Sequence, residues 1–581
     1  MKQNQSNQKN KIGKGAIILL SGIGLMICIA VLFPQVRQMI MGLAEQILHK
    51  EIFLYQIWFK TLISFAMGGI CFILFFDYCT LTDSGRTLIS KVKREINDCL
   101  SGVDFRSFLK PVLLMSGIYL LGILTIIRAN FSYSDDLGRS VEGFRGWYNW
   151  SRYVSEFLSI VVHGDTNLTD ISPLPQLLAI LILSFSSVLL VYVIGNRKIT
   201  GIRLLASIPL GLSPYFLESL SYKFDAPYMA LSILTSIVPF LFITRKKAFF
   251  FCSVISLLIM CMTYQAASGI YPVIVIILCF QYWNNREKSY REILSFLVAS
   301  AFAFCFAMLF FKFFFMFPHV EAYTSTAILP FHSIINGTLS NIKNYTLVIN
   351  HDWGIIWKIG IVVVLLFFII KSMHQSEQKR LLSFFVSITV IGISFILSYG
   401  IYSLLTVPLY APRTLFGFGV FVAVLCIIVV SDYKKTTSVM VLALNWCLFV
   451  FAFSYGNALA DQARYTEFRI SILLHDLSAL YPNHNSEDMT IQLKNSIDYA
   501  PSIQNIAKRY PVIERLVPKR LGATGNDWDY RYFQDHFNYK PIKMNDSSSV
   551  DFNILNLPVV LDSYYHTIQS DGERVLITLK H

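Results

Sequence analysis

The chain has 581 residues, 54% of them hydrophobic and 15% charged, with a formal net charge of +13. A soluble chain of this size carries about 25% charged residues, so an ordinary water-soluble globular protein is excluded. The basic balance sits in loops and forms no stripe interleaved with aromatics, which excludes a nucleic-acid footprint.

Apolar runs of about 17–25 residues recur from residue 16 to residue 456, the length a helix needs to cross a hydrocarbon core of about 30 Å. They are rich in Leu, Ile, Val and Phe and do not alternate with polar residues as barrel strands would. The pattern predicts a polytopic α-helical membrane protein of about 13 spans, near 16–34, 53–76, 111–128, 174–195, 204–220, 226–243, 248–263, 266–282, 293–317, 353–371, 382–406, 414–431 and 437–456. The first run is long enough to span and no A-x-A-like site follows it, so no cleavable signal peptide is expected.

Lys2, Lys9, Lys11 and Lys14 place the N-terminus in the cytoplasm. Alternate loops from there collect about 24 Lys and Arg on one side, against about nine in the short loops of the other. An odd number of spans follows, with the segment from about 457 outside. Three regions result: N-terminal spans and a basic inner loop (1–110), a membrane core (111–456) and an outer domain (457–581). The inner loop at 77–110 reads as an anchor on anionic lipid. In the outer domain Ala458 to Leu480 reads as helix and Leu557–Leu561 and Arg574–Leu579 as strands, giving a small α/β fold. All ten Cys fall in predicted spans or the inner loop, without CxxC or Cys/His clusters, so neither a disulfide framework nor a structural zinc site is implied.

The outer loop at 129–173 carries the chemistry. Asp135 and Asp136 stand near the membrane end of the preceding span, followed by Arg139, Arg145 and Arg152. Between them Leu137, Val141, Phe144, Trp147, Trp150 and Phe157 could form one face of an interfacial helix. Arg matches phosphate bidentately, and a carboxylate can take the proton of an attacking sugar hydroxyl. Ser134, Asp135 or Asp136 could instead only cap that helix, which leaves the second acid and the Arg run unexplained.

Tyr133-Ser-Asp-Asp-Leu-Gly-Arg139, followed by Arg152, resembles the first outer loop of the serotype-converting O-antigen glucosyltransferases of bacteria. Three further segments are similar to that family in order: Ser213-Pro-Tyr-Phe-Leu-Glu218 through Tyr222-Lys223-Phe224-Asp225, then Tyr264-Gln265, then Ala411-Pro-Arg413. The resemblance covers most of residues 110–460 and leaves the tail almost unmatched. It implies a GT-C-like multispan fold in a bacterial cytoplasmic (inner) membrane, N-terminus inside and C-terminal domain periplasmic. The implied donor is undecaprenyl-phosphate glucose and the implied acceptor a surface polysaccharide hydroxyl, with a donor-lipid synthase and a flippase as further partners.

On that resemblance Asp135 or Asp136 is the general base of an inverting transfer. Arg139, Arg152, Arg413 and Lys223 are the candidates for the departing phosphate, and Glu218, Tyr222, Asp225, Tyr264 and Gln265 for substrate contact. The adjacent acids could instead hold Mg²⁺ or Mn²⁺; no cofactor is otherwise implied. Read as structure alone, Lys223 and Asp225 would form a surface pair and Tyr264-Gln265 a tight turn. His163, His332 and His351 lack metal-ligand spacing and read as solvated loop residues. A lipid-linked sugar flippase or transporter would show repeats and midplane charges, and a polysaccharide polymerase or ligase a large late outer loop, for which 318–352 is a modest candidate.

Overall fold

The structure is a computed structural model that describes residues 104–580 except 134, 318–319, 322–323, 433, 483–488, 522–541 and 545–551, together with Arg86, Thr87, Ser90 and Arg94. The predicted spans at 16–34 and 53–76, most of the inner loop at 77–110, and Ser134 lie outside the described residues. The chain forms two compact units. One takes Met1–Asp104, Leu241–Phe249 and Cys305–Met316; among its described residues Phe311–Phe315 forms a π-helical turn. The other takes Phe105–Phe240, Phe250–Phe304 and Phe317–His581 and carries the candidate site.

Among the described residues eight helices are long and apolar enough to cross a membrane: Arg106–Ala129, Leu174–Ile194, Lys246–Thr263, Gln265–Asn284, Tyr290–Phe315, Ile355–His374, Arg380–Leu397 and Lys435–Leu480. Their outer faces expose large apolar side chains, such as Leu109, Leu113, Leu120 and Leu124 on Arg106–Ala129. Apolar surface so extensive is unfavourable in water and suits lipid tails. The chain is a membrane protein with multiple apolar helices and a small C-terminal sheet.

Several expected spans take another form. The run at 204–220 is three short helices, Gly201–Ala206, Pro209–Leu212 and Pro214–Ser221. Pro209 and Pro214 each lack the N–H that would continue the preceding turn and sit at helix starts, where that loss is harmless. The run at 226–243 is α-helical over Ala226–Ile237 and tightens to a 3₁₀ turn, Val238–Phe242, around Pro239. The run at 382–406 ends its helix at Leu397, and Gly400, at φ 60°, turns the chain into a 3₁₀ segment. Gly417–Val429 has only 13 residues, about 20 Å of helix, and is buried along its whole length. It is a core element wrapped by the others, as a helix apolar on every side must be.

The last span and the helix expected after it are one element: Lys435–Leu480 runs 46 residues without a break, about 69 Å, more than twice a hydrocarbon core. It packs along Arg106–Ala129. Gly456 permits the contact, since a Cβ there would meet Thr125 Oγ1 at 2.3 Å, and Thr125 Oγ1 donates to the Ala452 carbonyl at 3.3 Å.

Beyond the membrane helices lies a five-stranded sheet in the spatial order Ile542–Met544, Met489–Lys494, Arg574–Leu579, His566–Ser570, Val559–Asp562. The first three strands run parallel and the remaining pairs antiparallel. Ile491, Leu493, Ile568, Val575 and Ile577 pack from the sheet onto Ile470, Leu473 and Leu477 at the far end of the long helix. Leu137, from the loop after Arg106–Ala129, is buried in this same cluster.

Candidate active site

The loop at 129–173 is not the single interfacial helix its aromatics suggested. A short helix, Asp136–Glu142, ends at Gly143 with φ 71°. A 3₁₀ turn, Trp147–Trp150, follows Gly146 at φ 74°, and a second helix, Tyr153–His163, follows Ser151 at φ 60°. Gly143 is required twice over. Its φ lies in the left-handed region, and a Cβ there would meet Asn167 Oδ1 at 2.0 Å. The faces diverge accordingly: Leu137 enters the C-terminal core, Trp147 turns toward the membrane helices, and Val141 and Phe157 stay exposed.

Asp135 and Asp136 have opposite environments. Asp136 is fully buried. Its Oδ2 accepts the Tyr133 backbone N–H at 2.9 Å, and the Lys223 N–H reaches both oxygens, at 3.2 and 3.1 Å. It therefore joins the acid loop to the Tyr222–Asp225 segment. Burial pushes its carboxyl up to about 7; the Lys223 N–H opposes that rise and Asp225 adds to it. Asp135 keeps 39% of its side chain exposed and, among the described residues, has one ion-pair contact, to Arg139 Nη2 at 3.8 Å. Neither carboxylate caps the helix with a side-chain bond.

Asp225 is the hub of the first half of the site. Arg139 pairs with its Oδ2, the Trp147 indole Nε1–H donates to Oδ1, and Arg152 Nη1 stands 3.9 Å from Oδ1. Arg139 also lies over the Trp147 ring, 4.1 Å from its centroid, and only 5% of its side chain is exposed. Arg152 is more open, at 19%, and lies 4.6 Å over the Tyr264 ring. Lys223 and Asp225 are not a surface pair. Both are buried, and Lys223 Nζ bonds Asp170 Oδ2 at 3.0 Å and Ser132 Oγ at 3.4 Å. Glu156 accepts the Trp147 N–H at 3.0 Å and pairs with Arg145 at 3.2 Å; burial raises its carboxyl, against the pull of Arg145. Gln265 Nε2 donates to the Trp150 carbonyl at 3.1 Å, tying the 3₁₀ turn to the Tyr264 segment. His163 stacks on Phe224 at 5.5 Å between centroids, a packed position rather than a solvated one.

The second half centres on Glu218, buried on Pro214–Ser221. It accepts the Arg413 backbone N–H on Oε2 and the Arg413 Nη1 on Oε1, the latter at 2.9 Å. Arg413 keeps 28% of its side chain exposed and lies 5.8 Å from the Tyr222 ring centroid. Tyr222 in turn packs on Tyr133 at 4.7 Å. Tyr264, beneath Arg152, also stacks on Phe416 at 6.0 Å between centroids, three residues past Arg413, so the two halves adjoin.

All four quoted segments thus meet at one end of the bundle. Trp147, Asp170, Asp352 and Arg515 also bear on the site and were not singled out for it. Trp147 stood in the loop as one aromatic among several. Asp352 and Arg515 are 163 positions apart, a pairing no local spacing announces.

Asp136 and Asp225 direct their oxygens at protein partners, while Asp135 stays open. The Asp136 oxygens face backbone N–H donors, those of Asp225 face Arg139, Arg152 and Trp147, and among the described residues no group of three or more His, Cys, Asp or Glu could hold a metal.

A family model described as Glucosyl transferase GtrII matches residues 124–430. The chain is 26% identical, over 446 residues, to an uncharacterized 55.3 kDa protein in the gtrB 5′ region of Salmonella phage P22; the match spans 73% of this chain and 88% of that protein. No solved structure matches the chain significantly. The matched span contains every site residue from Asp135 to Arg413 and excludes the C-terminal domain.

Proposed function

The chain belongs to the glucosyl transferase GtrII family and is a membrane glycosyltransferase, and from that premise we propose that it moves glucose from undecaprenyl-phosphate glucose to a hydroxyl of O-antigen polysaccharide. The reaction takes place on the periplasmic face of the inner membrane, with the N-terminus in the cytoplasm and the C-terminal domain in the periplasm. What supports this reading is that one open carboxylate, Asp135, and two partly open guanidiniums, Arg152 and Arg413, are carried by segments that converge, while the other charged groups there are buried on one another.

Asp135 takes the proton of the acceptor hydroxyl as its oxygen attacks the anomeric carbon. The bond from that carbon to the phosphate oxygen breaks in the same displacement, so the centre inverts and undecaprenyl phosphate leaves as a dianion. Arg152 and Arg413 take up the growing phosphate charge. Arg139 and Lys223, buried on Asp225 and Asp170, hold the frame rather than the phosphate. Asp136 locks the acid loop to Lys223 and so aims Asp135. Tyr222 and Tyr264, beneath the two open guanidiniums, orient them and border the sugar; Glu218, Asp225 and Gln265 fix the segments that carry them.

Protein reconstituted with undecaprenyl-phosphate glucose and O-antigen acceptor tests this. Wild type should glucosylate the polysaccharide, and folded Asp135→Asn should lose about 10²–10⁴-fold in kcat. Turnover of Asp135→Asn at the wild-type rate overturns the base assignment. Transfer only from a different polyprenyl-phosphate sugar overturns the donor assignment.

A further inference from the structure

Besides the core contact of Leu137, the C-terminal domain touches both halves of the candidate site through the stretch Ile513 to Arg520. Arg515 pairs with Asp352 Oδ2 through Nη1 and donates to the Tyr410 carbonyl through Nη2. Tyr410 lies three residues before Arg413. Asp352 is fully buried and also accepts the Tyr215 hydroxyl at 3.1 Å. Tyr215 sits one helical turn before Glu218 on Pro214–Ser221. One guanidinium thus braces both sides of the Glu218–Arg413 pair.

Five residues later the same stretch holds the acid loop. Arg520 donates through Nη2 to the Ser132 carbonyl and lies 5.4 Å from the Phe131 ring centroid, and the Tyr133 hydroxyl donates to the Leu516 carbonyl. Leu516 and Val517 N–H bond back to Val512 and Ile513, and Lys519 pairs with Asp498 at 2.6 Å, so the stretch is itself braced. Five residues of backbone reach at most about 18 Å, so the anchor points of the two side chains stay close.

We infer that residues 513–520 act as a staple in which Arg515 is a positioning residue for Arg413, while Leu516 and Arg520 position the loop bearing Asp135. The spacing between the proton-accepting group and the phosphate-binding cation is then set by the outer domain. This rests on the roles proposed above for Asp135 and Arg413. Packing alone would need only the apolar contacts of Val512, Ile513 and Leu516, all buried. The polar bonds add direction: those from Arg515 and Arg520 end on a backbone carbonyl of a substrate loop or on a buried acid tied to Glu218's helix, and the loop's own Tyr133 hydroxyl donates back to the Leu516 carbonyl.

The test uses full-length protein in lipid nanodiscs with undecaprenyl-phosphate glucose and O-antigen acceptor, comparing Arg515→Ala, Arg515→Lys, Arg413→Ala and the Arg413→Ala/Arg515→Ala double variant. Arg464→Ala, at a side chain 75% exposed and paired, among the described residues, with Asp461 on its own helix, is the control. Displacing a reacting group by about 1 Å costs on the order of 10²-fold, so folded Arg515→Ala should lose kcat on that order, with donor KM moving far less. Arg515→Lys should recover part of it, and the double variant should be no slower than Arg413→Ala alone. Hydrogen exchange at residues 409–414 should quicken in Arg515→Ala and stay at the wild-type rate in Arg464→Ala. Losses that multiply in the double variant, or unchanged exchange at 409–414, overturn the staple. Should wild type transfer nothing from this donor, the functional reading fails by itself, and the exchange measurement still decides the staple.

Discussion

Adjacent positions on a helix point about 100° apart, and that rotation separates Asp135 from its neighbour. One faces open space with a single long ion pair; the other is sealed against two backbone N–H groups. The acid pair was legible in the sequence, and which acid faces outward was not, because that depends on the Lys223 backbone 87 positions away. The sealed carboxyl is raised from 3.8 to about 7, so the folded chain holds a proton that the unfolded chain has released between those values. Stability from this group is therefore lost as pH rises from about 4 to about 7. Thermal unfolding in detergent at pH 5 and pH 8 should show a larger fall in Tm for wild type than for Asp136→Asn, and an equal fall refutes the assignment. Asp225 carries a heavier load. Asp225→Asn leaves Arg139 and Arg152 near one another without their shared counter-charge, and breaking a buried pair costs about 3–5 kcal/mol. A variant that unfolds like wild type would show that Asp225 is not the hub.

Between residues and the whole chain, the elements show where hydropathy informs and where it misleads. Uniform apolar runs became straight helices at 174–194 and 355–374, since nothing inside them interrupts the hydrogen-bond ladder. Averaging over a window hid Pro209, Pro214 and Gly400, and there one span became several short pieces. Near 457 the opposite holds: the expected division between membrane core and C-terminal domain falls inside a helix that continues. The outer loop depends on glycine in the same way as these breaks. Gly143→Ala meets both a left-handed φ and the Asn167 side chain, a strain of about 1–3 kcal/mol. Expect lower thermal stability and slower transfer, with rates falling in step with the reorientation of Asp136–Glu142; unaltered unfolding would mean the turn relaxes freely.

At the scale of the molecule, the matched family span and the sheet domain share a core through Leu137, whose helix carries the acids. Long-range sharing of this kind leaves no trace in local composition, which is why the tail stood apart when only residues were visible. Ending the chain after residue 456 should abolish transfer and make residues 131–145 sensitive to protease, and a truncated protein of full activity would refute the shared core. The uninterrupted Lys435–Leu480 helix has one more consequence. One helix continuous from its apolar half to the sheet couples the two, so a thicker or thinner membrane would raise or lower the sheet together with the helix. Bilayer thickness would then tune the depth at which a lipid-borne sugar is met, while the distances among the side chains that meet it stay the same.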